Sequence, residues 1–308
     1  MEYDIINVEE KGSLMHKRNT ELFNKIISKV HGDLLPLPTT INELVKLDID
    51  NVTASDISAV IEKDPALVAK VLRLANSAYY GLTQRVTTIT HAIVCLGFNK
   101  VKSLAYTAAS QQVLKNGLES YGMKENELFE HCVAVAIGSR LLSEKIGMSA
   151  PEEHYIMGLL HDVGKLMVDQ FAAEELKMTW ELYRKGSLKM YQAEEESLGF
   201  HHGNIGAEIA KKWNFPNELC EVIEYHHNPD RADIRSMKSA YVVYIADGIA
   251  KTLEIGKGIV PHQDTKLEME GIFSEKNLAI LNISKEAILD VRKIIVEKVK
   301  EILQEIES

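Results

Sequence analysis

A histidine followed directly by an aspartate, in the run Gly158-Leu-Leu-His-Asp-Val-Gly-Lys165, is the feature of this sequence most able to do chemistry. Ile156, Leu160, Val163 and Met167 recur around the pair at helical spacing, which predicts an apolar helix carrying both residues. Adjacent helical residues project about 100° apart, so His161 and Asp162 can both reach one ion beside the helix. Neither group is stable in an apolar core without a partner, and together they invite a cation. Taken alone, a hydrogen-bonded core pair would account for the dipeptide. The same side-chain chemistry recurs, however, at His131, His202, the His226-His227 pair and Asp247. Imidazole with carboxylate is a ligand set for divalent Fe, Mn, Zn, Co or Ni.

Asp247 shares helical spacing with Ala240, Val243 and Ala250, which sets a carboxylate on an apolar stripe, although Tyr244 and Lys251 leave an exposed face open as an alternative. Glu127 precedes His131 by one helical turn, so the two share a face and could ligate together, or one could support the other; a solvated glutamate fits equally. His226 and His227 close a helix whose apolar face is Leu219, Val222 and Ile223, where capping against the helix dipole is the competing role. Lys165 lies one turn beyond the His-Asp pair, where its ammonium could meet a phosphate or simply face solvent. His201 is a weaker neighbour of His202, and His16, His31, His91, His154 and His262 read as ordinary surface or packing residues.

The elements that must position these groups read as helices. An amphipathic stripe of Leu22, Ile26, Ile27 and Val30 predicts a helix over 17–33, ended by His31-Gly32-Asp33, and a Pro36-Leu37-Pro38 turn follows. Ser55 is the expected N-cap of the next stripe, which continues past Asp64-Pro65 to Ala75. Helices over 91–96 and 100–114 flank a break at Gly97, and a polar stretch, 116–126, separates a first lobe from a second. The second lobe is predicted to hold helices near 125–145, 151–170, 173–184, 189–197, 203–213, 216–227 and 237–255. A tail stripe of Ile288, Val291, Ile295, Val299, Ile302 and Ile306 predicts a helix that either packs back or forms a homodimer contact.

A length of 308 residues accommodates two such lobes, and 45% hydrophobic residues suffice for packed cores. The divisions expected are an N-terminal extension (1–30), a first helical lobe (31–120), a metal-site lobe (121–260) and a C-terminal extension (261–308). A net charge of -10 without a Lys/Arg cluster argues against a nucleic acid duplex as partner. The same acidity means that a phosphorylated ligand must be held by metal ions or a few placed lysines. Cys95, Cys132 and Cys220, odd in number and widely spaced, fit a reducing cytoplasm. A signal peptide and an apolar run of membrane-spanning length are both missing from the reading, so a membrane location is not expected.

With these residues in hand, the chain resembles the HDOD family over roughly residues 30–260. The resemblance rests on Asp64-Pro-Ala-Leu67, Val71-Leu-Arg-Leu-Ala-Asn-Ser-Ala-Tyr-Tyr-Gly81, Thr88-Ile-Thr-His-Ala-Ile-Val-Cys-Leu-Gly97, Gly199-Phe-His-His-Gly-Asn-Ile-Gly-Ala207, Trp213-Asn-Phe-Pro216 and Ile223-Glu-Tyr-His-His227. It implies an all-α fold of two helical lobes, the second a bundle like that of HD-type metal phosphohydrolases, in a bacterial signalling protein. Members often lose the metal residues, whereas here His131, His161, Asp162 and Asp247 match the HD metal pattern. His202, His226 and His227 match the further ligands of two-metal relatives, and Glu127 and Lys165 match positions that assist such sites. The implied cofactor is one or two divalent ions, Fe or Mn first and Zn, Ni or Mg after them. Asp162 would bridge them, and Lys165 would stabilise charge developing on a nucleotide or other phosphoester under attack. HD-GYP phosphodiesterases carry a Gly-Tyr-Pro loop where this chain has Asn228-Pro-Asp-Arg231, so the resemblance lends no support to cyclic dinucleotide hydrolysis. Two other uses suit the same residues: a non-enzymatic output module working through protein partners, with a structural or vestigial site, and a di-iron redox or oxygen sensor.

Overall fold

The computed structural model describes residues 2–32, 39–47, 53–186, 188–256 and 269–307. Pro36-Leu37-Pro38 and His262 fall outside the described residues. The chain is all-helical, with no sheet among the described residues. An N-terminal helix, α1 (Glu2–His31), precedes a first lobe of α2 (Thr39–Lys46), α3 (Ala54–Ile61), α4 (Pro65–Ala75), α5 (Ile89–Leu96) and α6 (Phe98–Leu114). The second comprises α7 (Glu127–Lys145), α8 (Pro151–Leu160), α9 (Lys165–Phe171), α10 (Ala173–Arg184), α11 (Met190–Leu198), α12 (His202–Lys212), α13 (Asn217–Tyr225) and α14 (Met237–Thr252). Two helices follow, α15 (Glu275–Leu281) and α16 (Lys285–Glu307).

Local chemistry sets several boundaries. The cap of α3 is Thr53 rather than Ser55, because Thr53 and Asp56 each satisfy the other's backbone N–H in a capping box. Asp64 caps α4, its Oδ1 accepting from the Ala66 and Leu67 N–H groups, with Pro65 in the first turn where a missing donor costs nothing. Gly97, at φ 86°, divides α5 from α6. Helix α1 begins at Glu2, well before residue 17, and α2 and α15 arise where the sequence offered no clear stripe. Leu22, Ile26 and Val30 of α1 are buried, and the helix packs against α9 and α12, so the extension is docked on the second lobe.

The polar stretch after α6 is more than a separator. Leu118 and Met123 pair in an isolated β-bridge, a short 3-10 turn (Glu119–Tyr121) lies between them, and Leu118, Tyr121 and Met123 are all buried. Helix α7, buried along most of its length, packs against α8, α14, α16 and α6 and forms the axis of the second lobe. The tail helix α16 packs back on α7 and on α4, with Ile288, Val291, Ile295, Val299 and Ile302 buried, so its apolar stripe is spent within the chain. Each such aliphatic side chain contributes about 1.5–3 kcal/mol on burial. The core is continuous from Leu22 to Ile302 through both lobes.

Candidate metal centre

The helix expected over 151–170 is two helices. Helix α8 ends at Leu160, His161 is its C-cap, and α9 restarts at Lys165. The interruption has a packing cause. A Cβ on Gly164 would lie 1.9 Å from the His202 carbonyl oxygen and 2.6 Å from the Gly206 nitrogen, so this turn presses against the first turn of α12 as only glycine permits. A Cβ on Gly158 would lie 2.8 Å from the Val135 carbonyl, which brings α8 equally close to α7. These approaches carry His161 and Asp162 to His131 on one side and to His202 on the other.

Asp162 stands at the centre, 1% exposed, and its two oxygens face different groups. Oδ2 lies 3.3 Å from His161 Nε2 and 3.6 Å from His131 Nε2; Asp247 Oδ1 completes this set at 3.1 Å from His131 Nε2 and 3.8 Å from His161 Nε2. Oδ1 lies 3.1 Å from His202 Nε2 and 3.8 Å from His226 Nε2, and His227 Nε2 is 2.9 Å from His202 Nε2. The spacings suit donor atoms sharing an ion at bonds of about 2.0–2.2 Å. His131, His161 and Asp162 form one group of potential ligands, and Asp162, His202, His226 and His227 another.

Hydrogen-bond accounting supports the same fit. His131 Nε2, His161 Nε2, His226 Nε2, Asp162 Oδ1 and Asp247 Oδ1 are buried with no hydrogen-bond partner in the protein. An unmet buried polar atom costs about 1–3 kcal/mol, and five pointing toward one region form a cradle that a divalent cation would satisfy. The opposite ring nitrogens are held. Nδ1–H of His161 donates to the Gly158 carbonyl at 2.7 Å and that of His226 to the Ile223 carbonyl at 2.7 Å, which leaves each Nε2 free to ligate an ion.

Electrostatics favours ligation. Burial, then the neighbouring His161, pushes His226 well below the usual histidine range, and burial with His226 beside it does the same to His227, so both rings are neutral at neutral pH. Burial also lowers His131, against the pull of Asp247. Burial alone would raise both aspartates, but His161 and Lys165 hold Asp162 well below the usual carboxylate range, and Lys251 and His131 do so for Asp247. Lys165 Nζ donates to Asp162 Oδ2 and Lys251 Nζ to Asp247 Oδ2, each at 2.6 Å. Burial would lower His202, but Glu194 and Asp162 together outweigh it and raise the ring above the usual histidine range.

Of the residues singled out in the sequence, His131, His161, Asp162, His202, His226, His227 and Asp247 converge, with Lys165 beside them. The exposed alternative for Asp247 is excluded at 2% exposure. Glu127 stands apart from both ligand groups: its Oε2 accepts the Lys124 backbone N–H at 2.8 Å at the start of α7. His154 packs as expected, between Ser143 and Ser239. His201, the weaker neighbour of His202, is buried and caps α12 through Nδ1, which accepts the Gly203 N–H. Residues the sequence reading missed are Lys251, Glu194, which holds His202, and Tyr121, which holds Glu194. A pocket opens onto this centre, walled by Tyr121, Trp180, Tyr183, Tyr191 and Tyr244 and flanked by Lys165, Lys189 and Lys251.

The HDOD domain pattern matches residues 34–229. An uncharacterised protein of Treponema pallidum is 27% identical over 213 residues, 68% of this chain and 40% of that protein, so the chain spans well under half the length of this relative. A Shewanella amazonensis structure named a candidate phosphohydrolase matches with a TM-score of 0.67 at 24% identity over 91% of this chain and 97% of the other. A Marinobacter aquaeolei structure named a candidate signal transduction protein matches with a TM-score of 0.71 at 20% identity, over 95% and 66%. At these identities the two structures establish a shared fold.

Proposed function

The chain belongs to the HDOD family, and on that premise we propose that it holds one or two divalent ions around Asp162 and hydrolyses a phosphoester in the adjoining pocket as part of a regulatory role in the cytoplasm. The observation that carries this reading is the set of buried, unpartnered nitrogen and oxygen atoms on His131, His161, His226, Asp162 and Asp247. His131, His161, Asp162 and Asp247 would hold the first ion; Asp162, His202, His226 and His227 would hold the second. The mixed imidazole and carboxylate set suits Fe(II) or Mn(II). Such ions supply Lewis acidity at a phosphoryl oxygen and lower the pKa of water.

The protein's own groups support a phosphorylated ligand. Lys165 and Lys251 each place an ammonium against a carboxylate of the centre and line the pocket, where they can also meet phosphoryl oxygens and offset the acidity of the chain. Asp162 orients Lys165, and Asp247 orients Lys251. The aromatic wall, Trp180, Tyr183 and Tyr244 among it, offers flat apolar faces on which a nucleobase can stack. The three unpaired cysteines suit a reducing compartment, and no helix among the described residues is long and apolar enough to cross a membrane.

Protein purified after Mn(II) or Fe(II) loading, assayed for metal content and against a panel of nucleotides and aryl phosphoesters, tests this. The expected result is bound metal in the wild type, loss of most of it in His161→Ala, and turnover only with metal. Equal metal in both proteins refutes the centre. Bound metal without turnover on any phosphoester refutes the hydrolase and favours an output module with a structural ion.

A further inference from the structure

The rings around Asp162 are oriented by two different kinds of partner. His161 and His226 each donate Nδ1–H to a backbone carbonyl three residues earlier, Gly158 and Ile223, so their orientation is built into the local turn. His202 is held by a side chain on another helix. Glu194 of α11, 0% exposed, takes the His202 ring Nδ1 at 2.7 Å and the His202 backbone N–H at 2.8 Å on a single oxygen, Oε2. Its other oxygen, Oε1, accepts the Tyr121 hydroxyl at 2.8 Å. A carboxylate can only accept, so the Nδ1 proton is fixed and Nε2 is the atom turned toward Asp162 Oδ1 and His227.

Tyr121 does not belong to the helices that carry the ligands. It sits in the Leu118–Met123 hairpin that follows α6 and joins the two lobes. The hairpin is pinned to the second lobe at Ser120, whose N–H donates to Asp169 Oδ1 at 2.7 Å and whose carbonyl accepts the Trp180 indole N–H at 2.6 Å. Lys165 Nζ lies 5.8 Å from the Tyr121 ring centroid, so the same residue also borders the lysine of the centre.

We propose that Tyr121 and Glu194 are positioning residues for the second ion, and that through them its occupancy answers to the hairpin between the lobes. The inference rests on the metal-centre reading above. With Glu194 holding Nδ1–H, Nε2 is the nitrogen that His202 would give to a bound ion; without it the ring is free to take the opposite tautomer or rotate, and the second position loses a ligand while the first keeps His131, His161, Asp162 and Asp247. Partners of this kind are typically worth 10–100-fold in metal affinity.

Mn(II) titration of the full chain, read as bound ions per chain and stepwise affinity, tests it alongside nitrogen-15 histidine spectra that report which ring nitrogen of His202 carries the proton. The expected result is two ions in the wild type and about a 10–100-fold weaker second step in Glu194→Met with the first step retained. Glu194→Gln, which keeps an acceptor, recovers part of the loss, and Tyr121→Phe weakens the second step alone by a smaller factor. The His202 Nδ1 proton is fixed in the wild type and lost or exchanging in Glu194→Met. Should Glu194→Met prove unfolded by circular dichroism, Tyr121→Phe decides. Unchanged second-step affinity in the folded variants overturns the inference, as does equal loss of both ions. A wild type that binds no Mn(II) or Fe(II) instead overturns the metal centre itself.

Discussion

At the scale of single residues, the centre divides into what composition reveals and what only burial reveals. His161 and Asp162 stood out because two ionisable groups interrupt an apolar run, and Asp247 because its stripe is apolar. Glu194 did not, since Glu194, Glu195 and Glu196 are adjacent and nothing in the run says which carboxylate turns inward. For Glu127, shared helical spacing with His131 did not decide between a ligand and a backbone partner; its Oε2 accepts the Lys124 N–H. His201 carries a prediction. Burial, and after it the charge on His202, pushes its ring from 6.5 down to about 4. The folded state thus resists a proton that the unfolded chain accepts, and this ring costs nothing above about pH 6.5. Stability should fall as pH drops from 6.5 toward 4, by on the order of 3 kcal/mol from this group. Urea unfolding of chelated protein across that range, compared with His201→Asn, which keeps a side-chain acceptor at the cap, checks it. The variant should flatten the slope by up to one proton, about 1.4 kcal/mol per pH unit.

At the scale of elements, helical periodicity recovered most of the helices of the second lobe but ran straight through its functional interruption. Ile156, Leu160, Val163 and Met167 keep helical spacing across residues 161–164, so a hydrophobic stripe cannot register the turn that places Asp162 between two groups of potential ligands. Gly164 was the one local sign, and its reason is tertiary: the backbone of α12 occupies the space a side chain would need. Gly164→Ala should therefore drive the α8–α9 turn away from His202. The contact is with backbone atoms that cannot rotate aside, so the expected cost is about 3 kcal/mol or more, with the second ion lost before the first. Thermal melting and metal stoichiometry of the variant check both parts; a native melting point with two bound ions would contradict the account. The hairpin after α6 was hidden differently, because in the surrounding 116–126 stretch polar residues outnumber Leu118, Tyr121 and Met123, the ones that are buried.

At the scale of the whole molecule, the two-lobed, all-helical plan was legible from composition and stripes, whereas the way the lobes are tied together was not. The tail stripe allowed either a dimer contact or intramolecular packing, and only the fold shows α16 lying against α7 of one lobe and α4 of the other. A Cβ on Gly138 of α7 would lie 3.1 Å from the Ile295 Cδ1, which shows how closely the two helices approach. Ile295, 0% exposed, should cost 2–5 kcal/mol when cut to alanine. Because the core is continuous, that loss should shift one cooperative unfolding transition rather than detach one lobe. Denaturation followed separately by tyrosine and tryptophan fluorescence and by far-ultraviolet circular dichroism checks this, and non-coincident transitions would contradict it.

The placement of α16 also constrains how the protein is made. Helix α7, which bears His131, leaves the ribosome well over a hundred residues before the helix that covers its flank. Throughout that interval the nascent chain carries, beside His131, an apolar strip that α16 has yet to cover.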